Sequence, residues 1–159
     1  MVVVTSPSSD LTSAAAATQP AGGPAQRAGL KLGFLTRLEV GTDPADSYKF
    51  ALDMFELAEE LGFDTGWIAQ HHFLNGAGRL PSAFPFLAAA AQRTKRIHLG
   101  TGIVTLPLED PIRLAEDAAF VDTISGGRLQ LGLGTGGDPV SFAASVRAWK
   151  RAANGTPRA

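Results

Sequence analysis

The amino-acid sequence predicts an α/β fold built on a parallel sheet, with about four β-α units. Between the predicted strands, apolar residues recur at three- and four-residue steps, which is typical of amphipathic helices. Parallel strands joined by helices take right-handed crossovers. A complete (β/α)8 barrel takes about 250 residues, so this rhythm predicts either half a barrel or a small open sheet. The four predicted strands begin 34, 32 and 32 residues apart, at Lys31, Thr65, Ile97 and Leu129.

The composition excludes several classes of function. The 159 residues include 14 basic and 15 acidic side chains, for a formal net charge of -1, so no nucleic-acid partner is expected. The absence of cysteine excludes a disulfide framework, a thiolate metal site and a cysteine nucleophile. There is neither a signal-peptide pattern nor an apolar run of the ~20 residues that a membrane span needs. We therefore expect a soluble, cytoplasmic protein without a membrane partner.

Residues 1–29 are dominated by Ser, Thr, Ala, Gly and Pro and hold almost nothing to bury. Such a composition cannot offset the entropy lost on ordering the chain, so this segment is predicted to be a disordered tail. The three valines of Val2–Val4 have the composition to pair locally, but the segment lacks amphipathic spacing. The folded domain is predicted to begin at residue 30.

The first strand is predicted over Lys31–Thr36, and the first helix begins near Asp43. Asp43 is a suitable N-cap, and Pro44 occupies the first helical position, where its missing N–H costs nothing. Apolar side chains continue at helical spacing to Ala58, and Gly62 is predicted to end the helix.

The second strand is predicted over Thr65–Ala69, where Trp and Ile favour a pleated strand. It leads directly to two adjacent histidines, His71 and His72. The second helix is predicted around Pro85–Arg93, and its four successive alanines permit close packing.

The third strand is predicted over Ile97–Leu106 and the fourth over Arg128–Gly132. Between them, Asp110 and Pro111 repeat the Asp-Pro helix start, so the third helix is predicted from there to about Ile124. The glycines that follow it are suited to ending a helix.

The chemically distinctive residues follow the carboxyl ends of the predicted strands. His71 and His72 follow the second strand, residues 101–105 belong to the outer end of the third, and the glycine-rich loop 132–138 follows the fourth. In parallel α/β folds these ends share one edge, where ligands bind. Because histidine titrates near neutral pH, we predict a ligand site at this edge. Two loop histidines without a role are the alternative that the dipeptide alone leaves open.

Two other kinds of site are disfavoured. Gly132, Gly134 and Gly137 match the spacing of a dinucleotide fingerprint, but residues 139–159 hold no Asp or Glu to bind the ribose, so these glycines more simply form a turn or pass close to a flat ligand. A metal site would need three or four convergent ligands. The third histidine, His98, is predicted at the opposite end of its strand from His71 and His72, so no metal is expected.

Four ordered segments carry a more specific signal, namely Trp67–Phe73, Leu99–Pro107, Asp110–Asp117 and Ser125–Gly134. In order and spacing they resemble the amino-terminal half of the bacterial-luciferase-like, flavin-dependent monooxygenases. The resemblance covers about Lys31–Phe142 and implies a partial TIM (β/α)8 barrel. It also implies reduced FMN or, in some branches, the deazaflavin F420 as cofactor, a small-molecule substrate and a homodimer.

The resemblance implies one catalytic residue and five cofactor-binding residues. His71 matches the family's active-site histidine, which would stabilise or protonate the oxygenated flavin. A bulge in the third strand backs the isoalloxazine ring and in many members contains a non-proline cis peptide, and the loop after the fourth strand lies beside the flavin. The matching cofactor-binding positions are Thr101, Gly102, Ile103, Gly134 and Thr135.

Two other features of the sequence bear on this resemblance. Gln70 stands where the family often has Glu. The glutamine keeps the hydrogen-bonding capacity of this position but removes its negative charge. The second and third helices, flanked by Arg93 and Arg113, resemble the surface through which the family dimerises.

The resemblance is predicted to end after about Ala144, so residues 30–144 form the predicted half-barrel domain and 145–159 a basic tail outside the family. The family's phosphate-binding residues lie in the second half of the barrel. We therefore expect that this sequence is a truncated or frameshifted reading, and that the chain by itself is inactive or of doubtful activity. Two alternatives stay open: a non-catalytic half-barrel that is a remnant or an assembly partner of a second chain, and a small-molecule-binding α/β module unrelated to flavin.

Overall fold

The computed structural model describes residues 2–4, 30–38, 43–73 and 80–145. Strands and helices alternate along most of this length, as the sequence predicts. The elements are β1 (Val2–Val4), β2 (Gly33–Thr36), α1 (Pro44–Glu60), β3 (Thr65–Ile68), α2 (Ala83–Arg93), β4 (His98–Thr101), β5 (Val104–Thr105), a short 3₁₀ helix (Leu106–Leu108), α3 (Pro111–Ser125) and β6 (Leu129–Gly134). Residues 139–145 are helical and are called α4.

The sheet has the order β1-β6-β4-β3-β2, and β5 also pairs with β6. Strands β2, β3, β4 and β6 are mutually parallel, which confirms the predicted parallel α/β fold. The predicted continuous third strand is instead divided into β4 and β5. Leu99 pairs with Leu129 and Val104 with Leu133, so five steps along β4 and β5 span only four along β6. One extra residue therefore lies between β4 and β5, as in a β-bulge.

Two of the helices begin at the predicted Asp-Pro pairs. The Asp43 carboxylate accepts a hydrogen bond from the N–H of Ala45 at 2.9 Å, and Asp110 accepts from Ile112 and Arg113 at 2.9 Å each. These bonds satisfy N–H groups that the first turn of a helix leaves without partners. Helix α3 ends at Gly126, whose φ of 73° is the left-handed conformation that glycine adopts most readily.

One hydrophobic core lies between the helices and one face of the sheet. Phe55, Leu87 and Val121 contribute one large buried side chain from each of the three long helices, and Ile68 and Leu99 meet them from the sheet. The alanine run of α2 faces this core in part, since Ala90 and Ala91 are buried. Small side chains at these positions let α2 approach the sheet closely.

The opposite face of the sheet, here called the inner face, is rich in glycine. A Cβ atom at Gly100 would overlap the indole ring of Trp67, which lies across this position. A Cβ atom at Gly132 would overlap the backbone oxygen of Thr101. Gly100 therefore allows the Trp67 ring to lie against β4, and Gly132 allows the backbone of β4 at Thr101 to approach β6 closely.

At the amino-terminal end of the sheet, the guanidinium of Arg128 is buried among backbone carbonyls. Its Nη1 atom donates to Thr94 Oγ1 and to the carbonyl of Ile97, both at 2.9 Å, and its Nη2 donates to the carbonyl of Ala91 at 3.0 Å. Burial lowers the pKa of Arg128, although an arginine stays protonated near neutral pH. The side chain ties the start of β6 to the end of α2.

Within the segment predicted as a disordered tail, Val2–Val4 form the strand β1, which pairs antiparallel with β6. Three successive β-branched residues suit an extended strand, and β6 offers them an edge on the side away from β4. The rest of the predicted tail, and residues 146–159 of the predicted basic tail, lie outside the described residues.

Candidate active site at the carboxyl ends of the strands

A cavity of about 520 Å³ lies at the carboxyl ends of the parallel strands, a volume in the range of small-molecule sites. This is the edge at which the sequence predicts a ligand site. Four chain segments contribute to its lining, one after each parallel strand. The lining residues are Leu35, Arg37, Ala69, Gln70, His71, His72, Gly102, Ile103, Thr105, Gly136, Gly137, Asp138, Pro139, Ser141 and Phe142.

The loop that carries the two histidines is fixed by backbone hydrogen bonds. The N–H of Ala69 donates to the carbonyl of Thr36 at 3.0 Å, which extends the β2–β3 pairing by one residue, and the N–H of His71 donates to the carbonyl of Leu80 at 2.9 Å. Both imidazoles are half-buried and line the cavity. The two adjacent histidines therefore line one cavity.

Gln70 connects the histidine pair to a carboxylate that is distant in the sequence. Its amide nitrogen donates to Glu109 Oε1 at 3.0 Å and to the carbonyl of Pro81 at 3.1 Å, and it lies 3.0 Å from Nε2 of His72. The amide has only two N–H donors, so these three neighbours share them. The sequence alone places no acidic residue near the pair, and the fold brings Glu109 to it through Gln70.

The peptide bond between Gly102 and Ile103 is cis, and both residues line the cavity. The bond lies at the extra residue between β4 and β5, which is where the family resemblance implies a cis peptide. The N–H of Gly102 donates to the carbonyl of Ile68 at 2.8 Å, which fixes this junction against the end of β3.

Three of the predicted cofactor-binding residues lie outside the lining. Thr101 is fully buried, and its hydroxyl donates to the carbonyl of Gly132 at 2.9 Å and accepts from the N–H of Gly132 at 2.8 Å, so it joins β4 to β6 behind the cavity. Gly134 lies beneath the Ile103 side chain, and Thr135 is exposed next to the lining residue Gly136. The structure thus brings together His71, Gly102 and Ile103.

Asp138 is a site residue that the sequence analysis missed. Its carboxylate caps α4 by accepting from the N–H groups of Val140 at 3.1 Å and Ser141 at 3.0 Å. The Ser141 hydroxyl and these two N–H groups hold the pKa of Asp138 below its ordinary value, and the charge of His71 contributes in the same direction. The signal was present, because Asp138 and Pro139 form a third Asp-Pro helix start.

His98 is exposed at the amino end of β4, remote from the cavity. Across the part of the chain that the structure describes, no three His, Asp or Glu side chains converge as a metal site would require. None of the helices in that same part is long and apolar enough to cross a membrane.

A parallel β-α sheet with a cavity at the carboxyl ends of its strands places the chain among the ligand-binding α/β proteins, which include barrels and open sheets. The comparisons with known proteins give the family within that class. The chain belongs to the luciferase-like monooxygenase family, whose model matches residues 29–156. The match continues beyond Ala144, where the resemblance was predicted to end.

Two curated relatives and one solved structure illustrate the similarity. The chain is 40% identical to the 4-hydroxyprotoasukamycin monooxygenase of Streptomyces nodosus subsp. asukaensis over 67% of its own length, and 37% identical to the oxygenase component of the flavin-dependent trigonelline monooxygenase of Acinetobacter baylyi over 56%. The crystal structure of the monooxygenase RslO1 from Streptomyces bottropensis matches 74% of the chain with a TM-score of 0.70 and 37% identity.

The chain spans only part of these proteins. It covers 29% and 24% of the lengths of the two curated relatives and 36% of the length of RslO1. The family model's match over residues 29–156 includes every described residue that lines the cavity.

Proposed function

We propose that this chain forms the flavin-facing part of a monooxygenase active site, with FMN as the cofactor and His71 as its acid–base residue. One observation carries the proposal: His71, Gly102 and Ile103 line the same cavity. The family and the flavin-dependent relative support it.

The residues present fit a planar ring with apolar faces. Gly102 carries no side chain, and a Cβ atom there would lie 3.0 Å from Cδ1 of Leu35, so the glycine lets the Leu35 side chain pack close to the backbone at this point. Ile103 and Leu35 contribute apolar side chains to the lining, and Gly136 and Gly137 contribute backbone without side chains. A flavin bound there supplies the redox chemistry, and the protein supplies position and protons.

The chain's own residues perform two tasks in this proposal. The His71 imidazole, on a loop fixed by its backbone bond to Leu80, donates or accepts a proton near neutral pH. Leu35 and Phe142 line the cavity with apolar surface that the flavin ring can contact. The substrate is a small molecule that enters the remaining volume of the cavity.

A fluorescence titration of the purified chain with FMN tests the proposal. We expect saturable quenching of flavin emission that is weakened in His71→Ala. His98→Ala is the matched control, since His98 is exposed at the opposite end of the sheet and should leave the affinity unchanged. A parallel titration with F420 tests the alternative cofactor. Tighter binding of F420 than of FMN would identify F420 as the cofactor instead.

A non-catalytic role is the alternative, in which the chain is an assembly partner of a second chain. Leu35 on the inner face is 59% exposed, and within the described ranges β2 pairs with β3 alone. If the chain is folded by circular dichroism but binds neither FMN nor F420, the catalytic proposal fails and this role is favoured.

We also propose that the chain forms a homodimer through α2 and α3. A groove between Phe84 and Ala88 of α2 and Val121 of α3 is bordered by Phe120, which is 60% exposed, and Ile112 on the same helix is 69% exposed. Burial of such side chains against a second copy would remove apolar area from water.

A further inference from the structure

Two loops of the active site meet at the Ser141 side chain. Ser141 is only 6% exposed, and its hydroxyl lies 3.1 Å from the carbonyl oxygen of His72 and within hydrogen-bond distance of Asp138 Oδ2. A hydroxyl has a single proton, so these two acceptors share it. Ser141 therefore connects the backbone of the histidine loop to the loop that follows β6.

The Asp138 carboxylate is held in one orientation. Oδ1 accepts from the N–H of Val140, while Oδ2 accepts from both the N–H and the hydroxyl of Ser141. These bonds stabilise the ionised form, which is why the pKa of Asp138 is low. The result is a fixed negative charge in the lining of the cavity that also contains His71.

Other charged and titratable groups also face this region. Arg37, from the segment after β2, lines the same cavity, His72 is adjacent to His71, and Glu109 reaches the histidine loop through Gln70. Among the described residues that line the cavity, Asp138 is the only carboxylate. Its charge favours a protonated His71, whereas the charge of Arg37 opposes it.

We propose that Asp138 and Ser141 are positioning residues for His71, a role that rests on the proposed acid–base function of His71. Ser141 sets the position of the histidine loop through the carbonyl of His72, and Asp138 stabilises the imidazolium form of His71. In this arrangement the capping of α4 and the protonation of the active-site histidine depend on one carboxylate.

The first test is an NMR titration of the three imidazoles in the full chain, with resonances assigned by single histidine substitutions. Asp138→Asn is the informative variant, because Asn caps a helix about as well as Asp but carries no charge. We expect the titration midpoint of His71 to move to lower pH, while the resonances of the remote His98 stay at their wild-type positions. An unchanged His71 midpoint would overturn the electrostatic part of the proposal.

Asp138→Ser is a second capping variant without charge, and it keeps the test decisive if Asp138→Asn does not fold. A third measurement uses the wild-type chain at ~1 M salt, where the screening length is about 3 Å. Because the attraction by Asp138 is proposed to outweigh the repulsion by Arg37, the His71 midpoint should then move toward lower pH as well, and an unchanged or higher midpoint would overturn that balance.

Ser141→Ala tests the connection between the loops. Amide hydrogen exchange at His71 to Phe73 should become faster in this variant, and Ser145→Ala, an exposed change on the same helix, should leave it unchanged. Equal exchange in the two variants would overturn the role of Ser141. The imidazole and exchange measurements need no cofactor, so they can support the positioning roles even if the chain does not bind FMN. Conversely, if the chain binds FMN but the His71 midpoint is unaltered in Asp138→Asn, the positioning role of Asp138 is refuted and the proposed function is not.

Discussion

A side chain at Gly134 would overlap Cδ1 of Ile103, so β6 passes directly beneath the residue that follows the cis peptide. The absence of a Cβ atom at Gly134 is therefore what leaves room for the Ile103 side chain beside the cavity. This relationship gives Gly134 a role in the site although it does not line the cavity itself.

Gly134→Ala should push the Ile103 side chain out of its position. We expect a loss of stability of about 1 kcal/mol, typical of modest overpacking, together with weaker FMN binding. Urea denaturation and the flavin titration measure the two effects. Gly137→Ala is the control for stability, because a Cβ atom at Gly137 meets nothing within 4 Å. Equal stability of the two variants would contradict the packing argument.

Thr101→Val should destabilise the fold by about 2 kcal/mol. The change removes a buried hydroxyl that bonds both the carbonyl and the N–H of Gly132, and those two groups lose their partner. Thr101→Ser keeps the hydroxyl and should cost less. If Thr101 instead contacted the flavin directly, Thr101→Val would weaken FMN binding without lowering the midpoint of urea unfolding.

Arg128→Lys should cost about 3 kcal/mol despite the retained charge. A lysine cannot reproduce the planar set of donors that serves Thr94, Ile97 and Ala91, so buried carbonyls lose hydrogen bonds. The control is Arg113→Lys, whose side chain is 69% exposed and whose ion pairs contribute little. Similar unfolding midpoints for the two variants would show that the buried network is not stabilising.

Glu59 should make the fold sensitive to acid. Burial raises the pKa of Glu59, but N–H donors of Ile97, Arg96 and Lys95 outweigh it, so the pKa in the folded state lies below the ordinary 4.5. The stabilisation is therefore complete well above pH 4.5 and is lost as the pH falls through the lowered pKa.

Glu59→Gln provides the measurement of that effect. The variant should be less stable than the wild type at pH 7, and the difference should shrink as the pH falls below 4.5, as followed by urea denaturation at a series of pH values. A difference that is independent of pH would assign the effect of the substitution to packing alone.

Phe120→Asp should weaken the proposed homodimer, because it places a charge on the apolar border of the groove between α2 and α3. Sedimentation velocity should then show a larger monomer fraction at equal concentration. Phe50→Asp on α1, where Phe50 is 50% exposed, is the matched control and should leave the dimer intact. A wild-type chain that sediments as a monomer would refute the proposal directly.

Local signals determined much of the fold in advance. The helix starts at Asp43 and Asp110 depend on bonds within a single turn, so the sequence alone is sufficient to predict them. The spacing of the apolar segments predicts the parallel sheet, and that sheet brings its carboxyl ends to one edge. For this reason His71 and residues 101–105 could be assigned to one edge of the sheet before the structure was known, and the family resemblance singled out Gly102 and Ile103 among them.

The tertiary structure decided which polar groups surround the histidines and which predicted residues leave the cavity. Glu109 and Asp138 lie far from His71 along the chain and reach its loop only because the strands pair in one register. The pairing of β4 with β6 likewise places the Thr101 hydroxyl against Gly132, and Thr101 does not line the cavity. Helix caps and the periodicity of apolar residues depend on interactions over a few residues, so they can be predicted from the sequence. Contacts between residues more than 30 positions apart depend on how the strands pack.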